Sequence, residues 1–253
     1  MLGILAAAAA AAAGMSAAGW ASMAPRSQLY GRTFTGIAPE SRQIALTYDD
    51  GPNDPHTLRL LEVLERHGVK ATFFMIGRFV RERPEIARAV AAAGHVIGNH
   101  TFTHPNLIFA GGSETVRQLD ECEQALSDAV GPHSQLFRPP FGGRRPGTLP
   151  AARNRGLVPV MWSITGFDWN PTTADAIEKR VARHMRGGDV ILLHDGGHLG
   201  MGADRSWTVA ATDGLIKRYK GEGYRFVTVE QMMKQESGVR SQPEIYERQT
   251  PDS

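Results

Sequence analysis

The chain has 253 residues, 42% of them apolar and 21% charged, with a formal net charge of +2. That is enough for one large domain with a sizeable core, and the near balance of charge argues against an extended phosphate-binding surface and gives no support for nucleic acid as the partner. One cysteine, Cys122, excludes an internal disulfide and a multi-cysteine zinc site, and on a predicted helix it reads as a packed thiol.

Residues 1–24 resemble an export signal. Leu2 to Ala13 is an apolar, alanine-dominated run, and Ser22-Met23-Ala24 offers small residues at signal-peptidase spacing, although no Lys or Arg precedes the run. The expectation is export to the periplasm, cell envelope or medium; a leader that does not signal leaves the protein cytoplasmic. The run is too short and too weakly hydrophobic for a stable membrane span. Residues 25–42 are polar and punctuated by Gly and Pro, which predicts a linker or arm before a domain over 43–234. Polar residues 235–253 predict a disordered tail.

Within the domain, strands alternate with helices. Gln43 to Tyr48 is rich in strand formers, with Ile44, Leu46 and Tyr48 on one face and Ala45 and Thr47 on the other. Helical spacing follows over 56–67, an apolar strand over 70–76, a helix over 85–93 and a short strand over 95–99. The rhythm continues with a helix over 113–130 capped by Ser113, a strand over 135–138, a helix over 148–154 and a strand over 157–162. A helix over 174–185, a strand over 189–193, a helix over 207–219, a strand over 224–228 and a helix over 229–234 complete it. Seven strand-helix repeats predict a parallel sheet closed or nearly closed into a barrel with outer helices.

Chemistry in such a barrel sits beyond the C-terminal ends of the strands. Asp49 and Asp50 close the first strand, and Gly51-Pro52 ends it. Two adjacent carboxylates repel, so the pair suits a shared cation or proton, or else an Asp-rich turn bonded to local backbone. His100 and His104, four residues apart, are either two unconnected loop histidines or, with Asp50, a two-imidazole, one-carboxylate set that leaves a cation an open position for water. Arg138 precedes Pro139-Pro140-Phe141-Gly142, a stiff loop that directs the guanidinium at a carboxylate or merely at solvent. The Phe141 backbone N–H is a candidate oxyanion donor. His194 closes a buried strand, as a rim imidazole or a core one, and Trp169 beside Asp168 is a pocket wall or ordinary packing.

Taken in order, Thr47-Tyr48-Asp49-Asp50-Gly51-Pro52, His100-Thr101-Phe102-Thr103-His104, Arg138-Pro139-Pro140-Phe141-Gly142, Asp168-Trp169 and Leu192-Leu193-His194-Asp195 resemble the five motifs of the polysaccharide deacetylases, carbohydrate esterase family 4 with the NodB-type homology domain. The resemblance spans residues 43 to 233. It implies a deformed (β/α) barrel of about seven parallel strands, acting on an acetylated glycan. It also implies a divalent metal, usually zinc with cobalt or manganese in some members, bound by Asp50, His100 and His104. By the same resemblance Asp49 is the general base and His194 the general acid, with Arg138 and Asp168 orienting them. Leu192 and Trp169 border the acetyl-methyl pocket. Two positions depart from the family: Phe141 stands where Tyr is usual, and Thr165 replaces the first Asp of Trp-x-x-Asp-x-x-Asp-Trp. Rival readings are a hydrolase of a small non-sugar amide and a non-catalytic carbohydrate-binding relative. Glycan choice is expected to rest on loops such as Gly111-Gly112-Ser113 and Gly196-Gly197-His198, and neither the polymer nor the oligomeric state is legible.

Overall fold

The computed structural model describes residues 18–240. Its centre is a parallel sheet of β1 (Gln43–Gly51), β2 (Thr72–Met75), β3 (Val96–Asn99), β4 (Leu136–Phe137), β5 (Val158–Pro159), β6 (Ile164–Thr165), β7 (Asp189–His194) and β8 (Arg225–Phe226). Strand order is β5-β4-β3-β2-β1-β7-β6, with β8 also pairing β1, so the sheet curls into a half-barrel left open between β5 and β6. Helices α1 (His56–Arg66), α2 (Gly77–Glu82), α3 (Pro84–Ala92), α4 (Gly112–Val130), α5 (Thr148–Arg153), α6 (Ala174–His184), α7 (Ser206–Gly221) and α8 (Val229–Arg240) fill the crossovers.

Strand alternation sorts the core from the chemistry. Ile44, Leu46 and Tyr48 of β1, with Ile191 and Leu193 of β7, pack in one cluster with Leu60 and Leu64 of α1 and Leu215 of α7. Full burial of such side chains stabilises by about 1.5–3 kcal/mol each. Tyr48 also reaches Thr212 of α7, 3.0 Å from Oη to Oγ1. The opposite parity turns Ala45, Thr47 and Asp49 of β1, and Val190, Leu192 and His194 of β7, to the inside of the curl. Ala45 and Val190 join Phe74 and Leu136 in a second, inner cluster, below the polar rim.

The arm before β1 stitches the open seam. Phe34 N–H donates to Pro159 O at 2.9 Å and Phe34 O accepts from Met161 N–H at 2.7 Å, while Ile37 N–H reaches Gly188 O at 2.8 Å. Pro159 lacks an N–H, which suits an edge strand, and the arm satisfies its carbonyl instead. Further upstream, residues 18–23 are helical and Ala21 is buried. Arg144, itself buried, receives the chain there: its backbone N–H donates to Ser22 O at 3.0 Å, and Nη2 donates to Ala24 O and Ser27 O at 2.6 and 2.8 Å.

Several expectations change. Helix α2 and strand β6 were not expected; each is too short for periodicity to register. Gly111, not Ser113, caps α4, and Ser113 lies in the first turn. The strand expected over 157–162 is cut to two residues. The last helix continues through Arg240, into the segment expected to be disordered. Most of the expected leader, residues 1–17, and residues 241–253 of the expected tail lie outside the described residues. Cys122 is fully buried with Sγ 3.6 Å from Met75 O, and burial raises its thiol pKa, as a packed thiol requires.

Candidate metal and acid-base site

Backbone irregularity gathers at the C-terminal rim. Of six non-glycine residues with positive φ among the described residues, all but Arg42 lie there: Asp50 (73°), Thr101 (64°), His104 (60°), Phe141 (58°) and Phe167 (52°). Such conformations cost on the order of 1–3 kcal/mol each and persist where surrounding structure imposes them. At Asp50 the reason is visible, because the β1–β2 register slips between Asp49 and Gly51. A regular strand would send adjacent acids to opposite faces; the bulge turns Asp50 so that both serve one site.

Asp50 meets the two histidines. Its Oδ1 lies 3.1 Å from His104 Nε2 and 3.5 Å from His100 Nε2. Ligand atoms of the three residues all fall within 4.8 Å of one another. His100 Nδ1 donates to Arg138 O at 2.7 Å, which leaves the Nε2 lone pair facing the carboxylate. Burial lowers the pKa of His104, and although its own burial opposes it, Asp50 is held well below the usual carboxylate range by the two imidazoles beside it. Asp50 Oδ1 is buried yet has no properly aligned hydrogen-bond donor among the described residues. Two imidazole nitrogens and a carboxylate oxygen converging at 3.1–3.5 Å make a donor set that fits a divalent metal.

Asp49 faces a different partner. Arg138 is fully buried and donates through Nη1 to Asp49 Oδ1 at 2.7 Å and to Thr47 Oγ1 at 2.8 Å. Its Nη2 donates to Met161 O at 3.1 Å, and its guanidinium carbon lies 4.1 Å from the Phe74 ring centroid. The other carboxylate oxygen, Oδ2, stands 3.7 Å from His100 Nε2 at the edge of the metal set.

His194 closes β7 beside Asp49, its strand neighbour in register. Asp168 holds it doubly: Oδ2 accepts the His194 backbone N–H at 2.8 Å and Oδ1 the ring Nδ1–H at 2.9 Å. That fixes the tautomer and leaves Nε2 for the rim. Asp168 is anchored in turn by Thr208 Oγ1 at 2.7 Å and, through its carbonyl, by Trp207 Nε1 at 2.9 Å. Burial opposes the charged ring, but Asp168, with Asp50 and Asp49 beyond it, pushes its pKa up to about 9. Trp169, 41% exposed, packs edge-on against His194 with centroids 5.5 Å apart, and Leu192 is buried on the same strand. Phe141, 45% exposed, sits edge-on to His104 at 4.6 Å.

All ten residues singled out by the sequence therefore come to one rim. Four others, three of them inside the quoted motifs or loops, were given no chemical role of their own. Thr47 shares the inner face with Asp49, a signal the alternation carried. Thr208 lies a turn into α7, with no sequence mark. Asp195 is buried, accepts Thr57 Oγ1–H at 2.5 Å, and has its pKa raised to about 7 by burial against that opposing bond. His198 stacks on His104 at 4.8 Å, with Nδ1 4.0 Å from Asp50 Oδ2, and its loop is pinned by Arg78 Nη2 to His198 O at 2.5 Å. A cavity of about 790 Å³ lies apart from the site, between the arm and the β5 edge, lined by Phe34, Arg153, Leu157 and Met233 among others.

Known proteins share this fold. Residues 36–160 match the polysaccharide deacetylase family model. A peptidoglycan-N-acetylglucosamine deacetylase of Bacillus cereus is 37% identical over 80% of this chain and 72% of that protein. A chitooligosaccharide deacetylase of Sinorhizobium fredii is 37% identical over 77% and 94%. Among solved structures, the Bc1960 peptidoglycan N-acetylglucosamine deacetylase superposes with a TM-score of 0.73 at 36% identity, covering 79% of this chain and 91% of that one. BA3943 of Bacillus anthracis, described as a family 4 carbohydrate esterase pseudoenzyme, gives 0.74 at 28% identity over 80% and 69%. The fold and site define a metal-dependent hydrolase of the (β/α) half-barrel class. The chain belongs to the polysaccharide deacetylase family, carbohydrate esterase family 4.

Proposed function

We propose that the protein removes N-acetyl groups from N-acetylglucosamine units of an envelope glycan, either peptidoglycan or a chitin-type oligosaccharide. The observation that carries this reading is the pairing on one rim of Asp49 with Arg138 and of His194 with Asp168, either side of the Asp50, His100 and His104 set. The peptidoglycan-N-acetylglucosamine deacetylase and chitooligosaccharide deacetylase relatives favour the amide over an O-acetyl ester such as acetylxylan.

Asp50, His100 and His104 are the ligands, and zinc suits their two-nitrogen, one-oxygen donor set. A divalent cation held by these three residues would supply Lewis-acid polarisation and activation of water near neutral pH. Arg138 aims Asp49 through its 2.7 Å hydrogen bond to Oδ1, so that Asp49 takes the proton of the attacking water. The Phe141 N–H donates to the oxyanion developing on the acetyl carbonyl. His194, charged by virtue of Asp168, delivers a proton from Nε2 to the departing sugar amine, and acetate is released. Leu192 and Trp169 bound the space for the acetyl methyl. The backbone donor survives the exchange of Tyr for Phe141.

Export to the cell envelope is the corresponding localisation, supported by the alanine-rich leader and by peptidoglycan deacetylases among the relatives. The likeness to a pseudoenzyme keeps a binding-only role as the rival. Acetate release from chitin oligomers, acetylxylan and peptidoglycan, with and without chelator, separates them. Release from N-acetylglucosamine polymers that stops with chelator is expected; glycan binding with no acetate under any divalent metal would establish the rival.

A further inference from the structure

We propose that Phe167 is the stacking face of a saccharide subsite beside His194, which takes the apolar face of a neighbouring pyranose ring in a β-1,4-linked N-acetylglucosamine oligosaccharide. The proposal rests on the deacetylase reading above.

Phe167 is 51% exposed and held at a φ of 52°, a left-handed conformation that a bulky side chain avoids. Burial of the ring therefore does not account for the strain, and observed strain at a rim points to function. The surrounding structure imposes it. Thr165 Oγ1 accepts the Phe167 N–H at 3.2 Å, Gly166 N–H donates to Leu192 O at 3.1 Å, and Arg180 Nη1 donates to Gly166 O at 3.2 Å. Trp207 and Thr208 fix the next residue, Asp168. Thr165, which departs from the family pattern, here sets the backbone of Phe167.

The fixed ring continues the site outward. Phe167 and Trp169 centroids are 5.1 Å apart at a 53° tilt, and Trp169 abuts His194. Two exposed aromatic faces thus lead away from the imidazole, with Asn170, Pro171 and Thr173 exposed beside them. A pyranose presents C–H faces with hydroxyls at its rim, and matches rigid aromatic surface flanked by polar groups. A pre-positioned ring loses little freedom on binding, which is the return on the backbone strain.

The test is a fluorescence titration of the metal-loaded protein with chitotetraose and with N-acetylglucosamine, alongside acetate kinetics. Phe167→Ala is expected to raise Kd and KM for chitotetraose roughly tenfold, with kcat at saturation and the response to the monosaccharide unchanged. Phe167→Trp restores the affinity. Phe167→Gly, free to adopt the same φ, shows the same loss of affinity with Tm maintained, which separates the effect from misfolding. Unchanged chitotetraose affinity in Phe167→Ala, an equal loss for the monosaccharide, or no chitotetraose binding by the unaltered protein would overturn the proposal. Because binding is read without turnover, a protein that binds but releases no acetate overturns the deacetylase reading while the Phe167 comparison still decides this one.

Discussion

Asp168 engages His194 through both carboxylate oxygens, the ring Nδ1–H at 2.9 Å and the backbone N–H at 2.8 Å. An amide at this position offers one acceptor where the carboxylate offers two, and carries no charge. Asp168→Asn should lower kcat by roughly a hundredfold or more and move the alkaline limb of the pH–rate profile to lower pH. The sign follows from the pKa raised to about 9: the acid is present below it and lost as pH rises through it. The same group stabilises the fold fully below its unfolded value of about 6.5, an advantage lost as pH climbs through about 9. Tm of the metal-free protein measured across that window should show the loss, and Asp168→Asn should flatten it.

Arg138 is buried with its charge matched by Asp49. Removing one partner of a buried pair typically costs 3–5 kcal/mol. Lys has one donor centre in place of the fork that reaches Asp49, Thr47 and Met161 O together. Arg138→Lys should lower Tm by about 10 °C and acetate release by roughly a hundredfold, with the metal still bound. Thermal melts with metal analysis check this; an unaltered pH–rate profile at full rate would contradict it.

The orphaned Oδ1 of Asp50 gives the metal a structural effect as well. At about a hundred times Kd, zinc should stabilise by about 2.7 kcal/mol, a rise in Tm of roughly 5–10 °C over the chelated protein. Chelation should also abolish acetate release. Asp50→Asn and His104→Gln should each remove the metal-dependent rise, read by differential scanning calorimetry.

Arg144 ties the segment before the domain to the loop that carries Phe141, since its Nη1 also donates to Gly142 O at 2.9 Å. A chain beginning at Pro25 lacks buried Ala21 and the Ser22 carbonyl that accepts the Arg144 N–H. Compared with one beginning at Ala18, it should lose about 1–2 kcal/mol and several degrees of Tm. Matched melts of the two proteins check this; equal Tm values would mean that the docked segment contributes nothing.

Much of the site was legible because the chemistry lies where strand alternation and strand ends place it. The five motifs named the residues that the fold gathers at the rim, and the parity of β1 and β7 already put Asp49 and His194 on one face. What was illegible depended on long-range contacts. Strand β6 is two residues held by Ile191 and Leu192, so no local period marks it. The arm looked like a linker because its polar composition does not reveal that the open seam of the sheet needs its backbone groups. At Thr165 the sequence showed only a departure from the family pattern; its hydroxyl accepts the Phe167 N–H.

The sequence by itself determined the alternating α/β class and the ordered set of carboxylates, imidazoles and the arginine, because residue type and spacing are local properties. Only the tertiary structure decided how the adjacent acids divide. The bulge at Asp50 turns one carboxylate to the imidazoles, while a guanidinium 89 residues away holds the other. Neither choice is encoded near Asp49 or Asp50: side-chain direction follows from β-sheet register, and charge from whichever partners the fold brings into the low-dielectric interior.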